Sequence, residues 1–367
     1  MKFTCEKQKL VEAVSNIQRA VSVKSSIPAL EGIFLKAKST SIFLCGYDLE
    51  LGMTTEISAT VSEPGEIVLS AKLFGDIVRR LPDDGVHVEI DDHNVTSIKS
   101  GQSDFSIVGI PAEEYPELPS LSEEKSIKIG SSVLKSMIRQ TIFAVSENDA
   151  KPVHTGTLFD LSEGKLRLVS VDGYRLAMRE EAVRGEEEMN FVVPGKTLQE
   201  IMKLLPDDDS EAELLVGSRH ILSKIGNYTV ISRLLEGSFL DYRAAIPANS
   251  TCEIKVKTRE FIDSVERVSL VITDRLKSPL HCIFENNEIR LSCSTPLGRA
   301  SDQFSAEIEG DSMDMGFNNR YLLDALRNVD SDLVKIQLCG PLSPMKVVPV
   351  EGNSFLFLVL PVRMKSE

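Results

Sequence analysis

One ten-residue pattern occurs three times at a fixed spacing. Lys72–Leu81, Lys196–Leu205 and Arg320–Val329 begin 124 residues apart. Each copy opens on a base (Lys72, Lys196, Arg320). An acid follows four places on (Asp76, Glu200, Asp324), and a second base three places later (Arg79, Lys203, Arg327). Phe74, Ile77, Val78 and Leu81 stand at i, i+3, i+4 and i+7, which is one stripe of a helix. Leu198, Ile201, Met202 and Leu205 repeat that stripe, as do Leu322, Ala325, Leu326 and Val329. The paired bases share a face away from the stripe, with the acid in reach of both. One such helix is an ordinary solvated face. Three in register place each basic pair at an equivalent point of a larger symmetric object.

A second helix recurs with the first. Leu10, Val14, Ile17 and Val21 form a stripe over residues 7–21, with Lys9 and Arg19 off it. Leu134, Ile138 and Val145 stand 124 places after Leu10, Val14 and Val21 and predict a helix over 131–145, with Lys135 and Arg139 as its bases. Phe261, Val265 and Val268 predict a third over 258–271, with Arg259 and Arg267, offset by 127 from the second. Between the helices lie short β-branched or alternating runs such as 32–37, 41–45, 165–170 and 288–293. Turns such as Ser162-Glu163-Gly164 and Glu285-Asn286-Asn287 separate them. Each unit therefore reads helix, strands, helix, strands, itself a pair of half-repeats. Pro/Ser/Asn stretches at Pro116–Glu123 and Ile246–Ser250 set three domains, 1–122, 123–249 and 250–367.

At 367 residues, roughly two or three domains are expected. The formal charge of −14 argues against a sequence-specific DNA-binding domain, which is usually basic. Local basic patches stay open, because the field depends on where charges sit. The six cysteines (Cys5, Cys45, Cys252, Cys282, Cys293, Cys339) show no CxxC spacing, so they read as small core residues of a reducing compartment. The N-terminus lacks an apolar signal region, and no run is long and apolar enough to span a membrane. A soluble, cytoplasmic chain is expected.

None of the five histidines (His87, His93, His154, His220, His281) sits in an HxxxH or HExxH frame. No GxSxG, P-loop or GxGxxG occurs either. Asp207-Asp208-Asp209, with Asp83-Asp84 and Asp91-Asp92, could hold Mg²⁺ for phosphoryl chemistry. The first two groups follow a proline at a helix end, where turns favour Asp for their own sake. Bases recur on all six helices: Lys9 and Arg19, Lys72 with Arg79 and Arg80, Lys135 and Arg139, Lys196 and Lys203, Arg259 and Arg267, Arg320 and Arg327. Evenly spaced cations without interleaved aromatics suit backbone phosphates rather than base readout. With no Trp and 6% aromatics, single-strand stacking platforms are not favoured. Solvated helix faces are the alternative.

The chain resembles the bacterial DNA polymerase III β subunit family, the DNA sliding clamps, over essentially its whole length. The resemblance rests on the threefold repeat with its helix ends (Leu81-Pro82, Leu205-Pro206, Val329-Asp330), on Val171–Ala177, on Asp241-Tyr242-Arg243 and on Leu360–Met364. It implies an α+β fold of three similar clamp domains, each with two helices packed on antiparallel sheets, in a head-to-tail dimeric ring. The basic helix faces would line the hole and meet duplex DNA, and Lys24 and Asn148 match loop positions that touch DNA. Partner proteins would dock short apolar motifs in a groove at His154, Gly173, Tyr174, Arg175, Leu176, Leu240, Ala244, Ala245, Leu358, Leu360, Pro361, Val362, Arg363 and Met364. Phe105 and Ile107 would meet Leu270 and Val271 across the ring joint. The expected partners are duplex DNA, a second copy, the polymerase III catalytic subunit, the clamp loader and other proteins with clamp motifs. No cofactor, metal or catalytic step is implied. Tyr174 stands where His is common and Leu240 where Pro is common, and Lys365-Ser366-Glu367 extend past the usual end. Two rival readings are a metal-dependent nucleic-acid enzyme using the Asp clusters and an interaction scaffold with no DNA role.

Overall fold

The computed structural model describes residues 1–82, 85–121, 125–148, 150–183, 188–273 and 278–364. Asp83-Asp84, Ser122-Glu123 and Lys365–Glu367 lie outside the described residues. Seven helices are described: α1 (Lys7–Ile17), α2 (Ala71–Arg80), α3 (Ser131–Ile142), α4 (Gly195–Leu204), α5 (Tyr242–Ala245), α6 (Thr258–Ser269) and α7 (Asn319–Arg327). The other regular elements are antiparallel strands in sheets of five, eight, nine and four, joined by short 3₁₀ turns.

The stripes bury as the spacing predicts. Phe74, Ile77, Val78 and Leu81 are core, as are Leu198, Ile201 and Leu205, and Leu322, Ala325 and Leu326. Helix α2 starts where the Ser70 hydroxyl accepts the Leu73 N–H at 3.4 Å, and α7 where the Asn318 side chain accepts the Arg320 N–H at 2.9 Å. Arg79 and Arg80, or Arg327, close the last turn, where the helix dipole favours cations. The first helix of each repeat is shorter than the span predicted for it. α1 gives way to a 3₁₀ turn at Gln18–Ala20, α3 stops at Ile142, and α6 stops at Ser269. The final valines, Val21, Val145 and Val271, are reached through turns instead.

The chain packs as two compact units, Met1–Ser132 with Glu200–Leu234, and Val133–Gln199 with Leu235–Glu367. The first holds the eight-stranded sheet, ordered Lys125–Gly130, Glu211–Val216, His220–Ile225, Tyr228–Arg233, Leu51–Ser58, Ser41–Tyr47, Gly32–Lys38, Gly65–Ser70. The join at its centre explains why the units do not follow the repeats. Tyr228 pairs with Thr55, so strands of neighbouring repeats share one hydrogen-bond ladder. The second unit does the same with its nine strands, where Phe355–Val359 pairs with Arg175–Ala182. Tight hairpins fall where the sequence places them. Glu163 and Gly164, and Asn286 and Asn287, all have positive φ, as a two-residue turn of matching twist requires.

Within the first unit α1 packs on α2, and within the second α6 packs on α7. Gly75 on α2 faces the turn that follows α1, where a Cβ would lie 2.7 Å from the end of the Gln18 side chain. Five of the six free cysteines are buried, and Cys339 is half-buried. Burial pushes the Cys5 and Cys45 thiols up to about 12, leaving them as small apolar core residues.

Candidate functional site

The basic helix positions are exposed, apart from half-buried Arg19 and Lys135, and most are tied to carboxylates. Arg79 and Arg80 both pair with Asp76, at 2.9 and 3.4 Å. Lys203 pairs with Glu200 at 2.7 Å, and Arg19 reaches the same carboxylate at 3.4 Å. Lys9 pairs with Glu6, Arg259 with Asp263, Arg267 with Asp302, Arg139 with Asp330, and Arg327 with Glu266. Lys24, Lys72, Lys196 and Arg320 are exposed as well. The expectation that each repeat acid serves both of its helix bases needs correction. Asp76 serves the later base and its neighbour Arg80. Asp324 binds Arg175, from a strand about 150 residues away in sequence. A long-range cation reaches this acid by packing, which the helix pattern does not foretell.

That contact lines a cavity of about 1050 Å³ in the second unit. The corner Asp172-Gly173-Tyr174 connects the strands Lys165–Val171 and Arg175–Ala182. The Asp172 carboxylate accepts the N–H groups of Tyr174 and Arg175 at 2.9 and 3.0 Å. Gly173 sits at φ 92°, a conformation that favours glycine. Arg175 donates to Asp172 at 2.9 Å and to Asp324. Its guanidinium lies over Tyr321, 4.6 Å from the ring centroid, and near Phe143, at 5.6 Å. Tyr174, 61% exposed, stacks on Tyr321 with ring centroids 5.9 Å apart. The wall is thus an aromatic pair backed by a cation whose charge is already matched.

Of the groove residues named from sequence, His154, Gly173, Tyr174, Arg175 and Val362 line this cavity. Asn148 and Arg320, expected at DNA, line it too. Leu176 and Leu358 are instead buried in an adjoining apolar cluster with Val153, Val171 and Tyr242. Leu240, Ala244 and Ala245 are exposed on and just before α5. The α5 turn is pinned from beneath: Tyr242 donates its hydroxyl hydrogen to Asp160 at 2.5 Å, and Arg243 reaches the same oxygen at 2.7 Å. The His154 ring meets Phe239 edge-on at 5.4 Å. Burial, with Lys151 nearby, holds the His154 imidazole below its usual range, so it is neutral at pH 7. Leu360–Met364 follows the corner and then the Met313–Phe317 strand. Leu360 donates its N–H to Tyr174, Pro361 bridges Phe317, and Val362 donates to Gly316. Leu360, Val362, Arg363 and Met364 are exposed.

Sequence reasoning missed Tyr321, Asp172 and Phe143, and it assigned Asp324 to its own helix. Tyr321 stands in the position of Leu73 and Thr197 within the repeated helix. An aromatic at an off-stripe position was the available signal.

Phe105 and Ile107 sit on Ser103–Val108, an edge strand of the five-stranded sheet. Phe105 is exposed, whereas Ile107 is only 9% exposed and belongs to the core. Leu270 is 82% exposed beyond α6, and Val271 packs on the core of its unit. Asp207, Asp208 and Asp209 are exposed in a turn where Ser210 bonds Asp208 and holds its carboxyl below the usual range. Among the described residues no three His, Cys, Asp or Glu side chains are placed to hold a metal ion.

Models of the N-terminal, central and C-terminal domains of the DNA polymerase III beta subunit match residues 1–119, 128–241 and 243–363. The beta sliding clamp of Bacillus subtilis (strain 168) is 33% identical over 376 residues, covering 99% of this chain and all of the relative. The crystal structure of the DNA polymerase sliding clamp from Bacillus subtilis superposes with a TM-score of 0.96 at 32% identity, covering 100% of both chains. That of a putative DNA polymerase III beta subunit from Eubacterium rectale gives 0.94 at 33% identity, covering 99% of each. Matched along its whole length in sequence and in fold, the chain belongs to the DNA polymerase III beta subunit family, the DNA sliding clamps.

Proposed function

We propose that two copies of this chain close head to tail into a ring that encircles duplex DNA and tethers the replicative polymerase to it, with no catalytic step of its own. The observation that carries the reading is the match of three successive repeats to the three domains of one clamp family. The domains run 1–122, 123–249 and 250–367, and the site of action is the cytoplasm. The helix cations Lys72, Arg79, Arg80, Lys135, Arg139, Lys196, Lys203, Arg259, Arg267, Arg320 and Arg327 face the phosphates, joined by Lys24 and Asn148. Contacts of this kind are blind to sequence and permit sliding. The overall negative charge repels DNA from the outer surface.

The ring joint sets Phe105 and Ile107 against Leu270 and Val271 of a second copy. Two edge strands support this, Ser103–Val108 and Gly298–Ser305, each paired on one side within its own sheet. Such edges accept a further strand, and a heterologous contact closes only if the rotation fits. The cavity at Gly173–Arg175, with the apolar cluster of Leu176 and Leu358 beside it, is the groove for short apolar motifs of the polymerase, the clamp loader and other partners.

Retention on circular and on linear duplex, after loading at physiological salt, tests the reading. Retention on the circle with rapid loss from linear ends is expected. Equal retention on both would reduce the protein to ordinary contact binding.

A further inference from the structure

Several of the cations assigned to DNA are not bare. Asp76 holds Arg79 and Arg80 on α2, Glu266 on α6 holds Arg327 on α7, and Asp330 holds Arg139 on α3. In the Arg79–Asp76, Arg139–Asp330 and Arg327–Glu266 pairs the side chains are between 39% and 54% exposed, so a phosphate can reach them. The hydrogen bond from Arg79 holds the Asp76 carboxyl below its ordinary range, and that from Arg327 does the same for Glu266. Both therefore stay ionised at neutral pH. Lys72, one turn before Asp76, differs: among the described residues it has no carboxylate partner.

We infer that Asp76, Glu266 and Asp330 are resident counterions that loosen the grip of these arginines on duplex phosphates, so that the ring slides rather than sticks. The inference rests on the encirclement proposed above. A bare cation that meets a phosphate releases condensed ions to solution, and this release supplies most of the affinity and all of the salt dependence. An arginine already paired must first leave its carboxylate. Exposed pairs are weak, so the exchange is easy. The carboxylate is fixed to the protein, however, and stays beside the incoming phosphate, repelling it. Each contact becomes a near-even swap with a short residence.

The test uses the full-length protein in three forms: wild type, the triple variant Asp76→Asn, Glu266→Gln, Asp330→Asn, and a control Glu113→Gln, Glu114→Gln, Glu351→Gln. The control makes the same change in net charge at exposed positions outside the seven helices. The amides keep an acceptor oxygen for Arg79 and Gln140, so thermal unfolding should not move. Binding to a short linear duplex is followed by anisotropy across a NaCl series, and diffusion of the loaded ring is followed on long DNA. The triple variant is expected to bind roughly tenfold tighter at low salt. Its salt slope should steepen by about 0.9 for each phosphate newly engaged, and its diffusion should slow. The control should match wild type. An unchanged slope in the triple variant, or an equal gain in the control, overturns the inference. A second comparison does not depend on the triple variant: Lys72→Gln should flatten the slope more than Arg79→Gln, and the reverse order also overturns it. Wild-type retention on circular DNA reports separately on the ring. Retention with an unchanged slope sinks this inference alone, whereas loss of retention sinks both.

Discussion

Two hairpin corners, one in each unit, share a backbone and differ in what they can bind. Asp48-Leu49-Glu50 stands 124 residues before Asp172-Gly173-Tyr174. The Asp48 carboxylate accepts the N–H groups of Glu50 and Leu51 at 3.0 and 2.7 Å, as Asp172 does with Tyr174 and Arg175. The next strand of the ladder ends in the same way on each. Arg233 donates its N–H to Glu50, and Leu360 donates to Tyr174, both at 2.9 Å. The side chains then diverge. Behind the first corner Gly52 takes the place of Leu176, and Leu118 and Ile231 fill the space, each within 3 Å of where a Cβ on Gly52 would lie. At the second corner Arg175 draws Asp324 and Tyr321 toward Tyr174, and the cavity opens beside them. Leu49 keeps a φ of 75° without being glycine, a strain of about 1–2 kcal/mol in an L-residue. Backbone geometry alone therefore does not make a groove; the charged and aromatic residues placed on it do.

That comparison can be broken most severely at Arg175. Its side chain is largely buried between Asp172 and Asp324, so Arg175→Ala strands two carboxylates. Chemical denaturation should show a loss of about 3 kcal/mol, together with loss of apolar-peptide binding. Gly173→Leu gives the second corner the first corner's residue. Nothing lies within 4 Å of the added Cβ, so the expected loss of about 1–2 kcal/mol is purely backbone. Tyr242 stands 124 residues after Leu118. Tyr242→Phe keeps the ring and removes the bond to Asp160, which should cost about 1 kcal/mol and weaken peptide binding through α5. The reverse exchange at the first corner, Leu49→Gly, should stabilise by about 0.5 kcal/mol, as relief of strain exceeds the added chain entropy. An equal or larger loss there would show that Leu49 packs rather than strains.

The smallest effect is one of pH. His154 stands 124 residues after the buried Leu30. Its folded midpoint lies below the ordinary 6.5 because of burial and Lys151. As pH falls from 6.5 toward that lower midpoint, the unfolded chain takes up a proton that the folded one refuses. Stability therefore falls with pH across this window and levels off below it. His154→Leu, which copies the first repeat, should flatten that part of the stability–pH curve.

The repeated helices were legible because burial on one face of a helix forces a 3.6-residue period into the sequence, and Phe74, Leu198 and Leu322 record it three times. The hairpins were legible because only a few residues accept positive φ, as at Glu163-Gly164 and Asn286-Asn287. The candidate site was legible in part. His154, Val171–Ala177 and Leu360–Met364 could be named from their resemblance to a family, and five of the groove residues so named line the cavity.

What the chain determined by itself was the local pattern: the stripes, the turns, and an acid three residues before a base on each repeated helix. Tertiary structure decided which partner each charge took. Asp76 bonds Arg79 within its own helix, while Asp324, at the same position of the repeat, bonds Arg175 from a distant strand. The physical reason is range. A local pair is fixed by helix geometry and is worth little at an exposed surface. A cation brought by strand pairing into a half-buried site, between Asp172 and the Tyr321 ring, loses less to water and holds its partner more firmly. No periodicity in the sequence encodes that meeting, because it exists only once the sheet and the helix have packed.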